Sequence, residues 1–217
     1  MKRSKPLVLA LCAVLLAVGT ILGTVAYLQD TASVVNTFTV GNVHLKLDEA
    51  VVDEKGEPTG GRTETGNAYH LLPGETYTKD PTVTVKKGTE GAYVRLLVTV
   101  SGFGTVKEVF GSGFLPENFV EGWDKEKWVY SGATEFPAEN TVTYEFRYYK
   151  TVSATEEDVK LEPLFKKLLL PGDSVDLEGV KKLAAAGVSV SVTGHGIQSA
   201  GFENADEAWA AFAEQVK

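Results

Sequence analysis

The residues in this chain that could do chemistry are few, and their spacing does not bring them together. The three histidines are His44, His70 and His195, and none belongs to an HExxH or another close-spaced His/Asp/Glu group of the kind that holds zinc. His44 and Asp48 fall on one face of a strand, but at ~3.3 Å rise per residue they stand ~13 Å apart and could not chelate one ion without a third partner. His44 therefore reads as an exposed strand histidine, while His195, between Gly194 and Gly196, suggests a β-bulge. No GxSxG elbow, P-loop or dinucleotide fingerprint occurs. Gly102, Gly104, Gly111 and Gly113 have the wrong spacing to cradle phosphate and read as bends between a strand and a short helix. Trp123, Trp128, Tyr130, Tyr144, Tyr148 and Tyr149 would make a sugar-stacking platform if several were exposed in a row, but core and cross-strand packing accounts for them more simply. No catalytic residue, metal ligand or cofactor is assigned.

Residue types and spacing do fit one reaction, a proteolytic cut near the N-terminus. Lys2, Arg3 and Lys5 precede an unbroken apolar run from Leu7 to Val18, the charge and length pattern of an export signal. Thr24 and Ala26 then supply small side chains at the third and first positions before a cut, which places cleavage between Ala26 and Tyr27. On this reading residues 1–26 are the signal and 27–217 form one exported domain. Counted on to Leu28, the same stretch is also long enough to serve as a permanent membrane anchor. Cys12 follows Leu11, where lipid attachment would need a small residue, so it reads as filler of the apolar run.

Composition agrees with export. Beyond residue 26 there is no cysteine, so neither a disulfide framework nor a thiolate nucleophile is open to the domain. Stability must come from a core, for which about 190 residues at 43% hydrophobic content suffice. The signal holds three of the 21 cations and none of the 29 acids, leaving 18 against 29 and a net charge of −11. Such an excess disfavours nucleic acid and anionic membrane surfaces as partners, and the membrane is expected to matter only before signal cleavage.

The elements that position these residues are mostly strands. Val43–Asp48 alternates apolar and polar residues, as does Thr82–Lys87. Ala92–Val100 puts Val94, Leu96, Val98 and Val100 on one side, opposite Arg95 and Thr99. Thr141–Tyr149 turns Val142, Tyr144, Phe146 and Tyr148 inward, and Val188, Val190 and Val192 alternate with Ser189, Ser191 and Thr193. Turn chemistry at Leu72-Pro73-Gly74-Glu75 and Leu170-Pro171-Gly172-Asp173 separates the strands, and Lys55–Gly66 reads as an exposed loop. Helices are expected at Pro116–Glu121, Leu177–Ala186 and Ala205–Val216. The last carries an Asn204/Glu207 capping box and an Ala205, Trp209, Phe212, Val216 stripe that packs on the sheet. The sum is an all-β fold, an antiparallel β-sandwich with short helices including one at the C-terminus.

Gly23-Thr-Val-Ala-Tyr-Leu-Gln-Asp, Val35-Asn-Thr-Phe-Thr-Val-Gly, Leu72-Pro-Gly-Glu, Lys79-Asp-Pro-Thr-Val-Thr-Val and Ala92-Tyr-Val-Arg occur in that order, then Tyr148-Tyr149-Lys150 and Ile197-Gln-Ser-Ala-Gly-Phe leading to Glu207-Ala-Trp-Ala-Ala-Phe. Together these segments resemble the TasA/camelysin family of proteins processed by a SipW-type signal peptidase. They span nearly the whole chain, departing at Leu28-Gln29, where members commonly have a bulky aromatic and a small polar residue. The resemblance implies a jelly-roll-like sandwich, export, trimming by the dedicated peptidase, and assembly at the cell surface or in a biofilm matrix, with accessory matrix proteins as possible partners.

Strand physics gives that expectation a mechanism. Cleavage frees an extended arm whose assembly residues are Val34, Val35, Phe38 and Val40, and such an arm can complete the sheet of a neighbouring subunit by strand addition, self-association then giving fibres. The same arm could instead pair within its own domain. Two other classes stand beside the fibre: a camelysin-like secreted zinc metalloendopeptidase, for which no motif carries catalytic residues over, and a monomeric surface adhesin.

Overall fold

A computed structural model describes residues 38–40, 42–69, 72–111, 116–171 and 175–215. The fold is an antiparallel β-sandwich of the kind the alternation predicts. One sheet runs β1 (Phe38–Val40), β13 (Val190–Gln198), β6 (Thr89–Ser101), β9 (Thr141–Tyr148), β8 (Trp128–Phe136), with β10 (Val152–Ala154) also on β6. A second runs β11 (Val159–Lys160), β5 (Thr82–Val85), β2 (Leu45–Val52), β3 (Pro58–Thr63), and a third, small one is β4 (Thr76–Thr78), β12 (Lys167–Leu169), β7 (Val120–Glu121). Among the described residues every pairing is antiparallel except that of β1 with β13.

Period-two patterning sets the core. Val94, Leu96, Val98 and Val100 of β6 are buried, as are Val142, Tyr144, Phe146 and Tyr148 of β9, while the intervening residues are only half-buried. Val43, Leu45 and Leu47 face them from the β2 side, next to Val83 and Val85 of β5. The clustered aromatics are packed: Trp128, Tyr144 and Tyr148 are buried, Trp123 meets Phe146 edge to face at 5.2 Å, and of the group only Tyr149 is exposed. Their polar ends are mostly tied to the chain, Trp123 Nε1 donating to the Trp128 carbonyl at 2.8 Å and Tyr148 Oη to Glu162 at 2.8 Å.

Three helices join the described strands: α1 (Phe103–Phe110), α2 (Leu177–Ala185) and α3 (Ala205–Gln215). Asp176 caps α2 by accepting from Gly179 N at 2.8 Å. Asn204 caps α3 by accepting from Glu207 N at 3.0 Å, and the Glu207 side chain reaches back to Glu203 N at 2.7 Å.

The structure corrects four readings. The segment read as a loop over Lys55–Gly66 contains β3, paired to β2 through Glu49↔Thr63 and Ala50↔Arg62. Arg62 holds it there, its guanidinium bound to Asp48, Asp80 and Thr82. The expected helix over Pro116–Glu121 is one 3-10 turn, Pro116–Asn118, followed by β7. A helix does follow Gly102, but it is α1, ending at Gly111. His195 marks no bulge, since β13 and β6 stay in unbroken register from Val190↔Val100 to Gln198↔Ala92.

Candidate functional site

Phe38–Val40 of the expected assembly arm and the C-terminal helix both lie against β13 at the edge of the six-stranded sheet. Along β13 the faces alternate. Gly194 and Gly196 turn toward β2, where a Cβ on Gly196 would sit 2.8 Å from both Leu45 Cδ1 and Val43 Cγ1. Glycine is there for close sheet-to-sheet approach, with no need of a bulge. His195 and Ile197 turn the other way: Ile197 is fully buried with Ala208, Trp209 and Phe212 of α3, and His195 stacks on Phe212 at 4.8 Å between ring centres.

The outer edge of β13 receives β1. Phe38 pairs with His195, Thr39 with Gly196 and Val40 with Ile197, all parallel. Among the described residues no strand covers Val190–Gly194 on that side. The chain then crosses to the other sheet. Asn42 donates from Nδ2 to the Gly88 carbonyl at 3.2 Å, and His44 N donates to Thr89 Oγ1 at 3.1 Å, anchoring the body side of the crossing.

A charged network lies beneath α3. Arg95 of β6 donates from Nε to His195 Nδ1 at 3.3 Å and lies over the Trp209 ring at 4.3 Å. Its guanidinium also meets Glu145 of β9 at 3.4 Å; Glu145 pairs with Arg147 at 2.6 Å, and Arg147 pairs with Asp206 of α3. Burial, reinforced by the Arg95 charge and only partly offset by Glu145, holds the His195 imidazole well below its ordinary value, lowered to about 4. At neutral pH it is an uncharged acceptor and stacking ring. The network is a clamp between sheet and helix with no nucleophile placed beside a base.

No family model, curated protein or solved structure matches this chain. Its functional reading rests on the sheet edge and on where the predicted residues fall. Thr24, Ala26 and Tyr27 of the expected cleavage site, Val34 and Val35 of the assembly arm, and His70 lie outside the described residues. Phe38 and Val40 are in β1. His44 is exposed, its Nε2 3.2 Å from Asn42 Oδ1. Among the described residues no group of three or more His, Cys, Asp or Glu side chains converges, and no helix is long and apolar enough to cross a membrane. An apolar cavity of about 90 Å³ between α1, α2 and the small sheet is lined by Val106, Phe119, Leu168 and Leu183, among others. Sequence reasoning missed the clamp, because Arg95 and His195 stand 100 residues apart and only the β6–β13 register brings them together.

Proposed function

We propose that the protein is a secreted structural subunit of the cell surface or biofilm matrix, of the TasA/camelysin type. Its arm, freed by a SipW-type peptidase between Ala26 and Tyr27, adds to the β13 edge of a neighbouring copy. The observation that carries this reading is the β1–β13 pairing: three parallel residue pairs on an edge where Val190–Gly194, the five residues that precede them, have no described cover on that side. A neighbour's arm in the same register makes the same backbone bonds. Continued backward, that register sets Val35 opposite Val192 and Val34 opposite Ser191, so the longer arm supplies pairing beyond β1. Exchange then replaces like with like, pair for pair, and a high concentration of subunits favours the polymer. Acidic subunits at −11 repel one another, so screening by salt eases their approach.

Electron microscopy of protein beginning at Tyr27, beside a version beginning at Asn42, tests this. Fibres from the first alone are expected. Globular particles from both, with folding intact, would remove the self-assembling subunit from consideration.

A further inference from the structure

Away from the sheet edge, three buried side chains of different chemistry meet. Lys79, Glu49 and Asn67 are 0%, 4% and 8% exposed. The two oxygens of Glu49 bridge the other two residues: Lys79 donates from Nζ to Oε2 at 2.9 Å, and Asn67 from Nδ2 to Oε1 at 2.7 Å. Asn67 Nδ2 also donates to the Ala50 carbonyl at 2.8 Å, while its Oδ1 accepts from Val52 N at 3.0 Å. Glu49, Ala50 and Val52 all belong to β2, so one strand orients the whole carboxamide. Tyr69 and Tyr77, both buried and edge to face at 5.7 Å, lie two residues from Asn67 and Lys79 respectively.

We propose that Lys79 and Asn67 form an intramolecular isopeptide bond, with Glu49 as the proton carrier. An amine, a carboxamide and a carboxylate held together out of water are what amide exchange requires, because fixed proximity replaces a bimolecular encounter. The Lys79 ammonium passes a proton along its hydrogen bond to Glu49, leaving a neutral nucleophilic amine. Nζ attacks Asn67 Cγ, and the C–N bond forms as the carbonyl electron pair moves onto Oδ1, where the Val52 N–H stabilises the developing charge. The tetrahedral centre carries two nitrogens. Glu49 hands its proton to Nδ2 and receives one from Nζ, the Cγ–Nδ2 bond breaks, and ammonia leaves. The proton that Glu49 takes from Nζ then passes to the departing ammonia, so the balance is one ammonium plus one primary amide giving one secondary amide plus one ammonium ion, with the Glu49 carboxylate regenerated and no oxidant or co-reactant needed. The product closes the chain from Asn67 to Lys79 around the Leu72-Pro73-Gly74-Glu75 turn and β4, a covalent staple in a domain whose described residues include no cysteine.

Intact-mass measurement of the folded full chain tests this, followed by protease digestion and tandem mass spectrometry. The expected result is a mass lower than the sequence by one ammonia, and a branched peptide joining the Asn67 and Lys79 segments. Full sequence mass after prolonged incubation of folded protein, or an ammonia loss mapping elsewhere, such as to an asparagine succinimide, would overturn the proposal. Glu49→Gln keeps the side-chain shape and removes the proton carrier. A wild-type yield of branched peptide from folded E49Q would overturn the role given to Glu49, and its loss with unchanged circular dichroism would support it. Lys79→Arg, which cannot form the bond, gives the reference mass.

Discussion

Arg95 donates from Nε to Nδ1 of His195 across 3.3 Å, and the two are direct register partners on β6 and β13. The contact requires the neutral imidazole with its proton on Nε2, since a protonated ring has no lone pair at Nδ1. The charged groups facing it are Arg95 from β6, with Glu145 and Arg147 behind on β9 and Asp206 on α3.

Acid should therefore lower the stability of the fold through this contact. The His195 value is lowered from 6.5 to about 4, so between those limits the unfolded chain binds the proton more readily, and stability falls as pH drops through the window. The expected loss is on the order of 2 kcal/mol after allowance for the ring's partial exposure. Denaturant melts from pH 7 to 4 measure it. His195→Phe keeps the stack on Phe212 and should flatten the slope, and an unchanged slope in that variant would count against the assignment.

Gly196 and Gly194 should respond differently to one added methyl. In Gly196→Ala the Cβ meets Leu45 and Val43 at 2.8 Å and forces repacking, at a cost of ~1–3 kcal/mol. In Gly194→Ala the nearest atoms are 3.6 Å and 3.8 Å away, ordinary contact, and little change is expected. Thermal melts of the pair decide whether close sheet approach is the reason for glycine.

Arg62→Met should free β3 more than it unfolds the domain. The change leaves buried Asp48 with Lys46 as its remaining cationic partner and without the guanidinium, costing ~1–3 kcal/mol locally. Arg62, together with Lys46, holds the Asp48 carboxyl below its ordinary value against the opposing effect of burial, so the wild-type contribution is lost as pH falls through the carboxylate range. Limited proteolysis should find new cleavage in 55–64, and a digestion pattern identical to wild type would refute the anchor role.

Asn140 caps a helix from 36 residues away. Its Oδ1 accepts from Gly104 N at 2.7 Å while its own φ is 53°. Asn140→Ala loses both the cap and the ease of that conformation, for ~1–2 kcal/mol. Asn140→Gly loses only the cap and should melt higher than the alanine variant; the reverse order would show that backbone conformation plays no part.

The strands legible in the sequence were those with one dry face. β6 and β9 carry Val, Leu, Tyr and Phe at every second position, and burial follows that spacing. β3 was illegible because its residues, Pro-Thr-Gly-Gly-Arg-Thr, have no apolar alternation, and its place depends on Arg62 reaching Asp48 and Asp80. α1 was hidden for a related reason. Gly102 offers no side-chain cap, so the cap comes from Asn140, beyond any local window. At the sheet edge, Phe38–Val40 was readable as extended, but its parallel seat on β13 depends on the fold of everything between.

The β1–β13 pair also sets a timetable. β1 is the first described strand to be made and β13 the last, and Phe38 and His195, which pair, are 157 positions apart (195 less 38). At ribosomal speeds of about 5–20 residues per second, the arm waits about 8–30 s before its own chain offers it a place. Each newly made chain thus passes through an interval in which its first described strand exists before the strand that pairs with it.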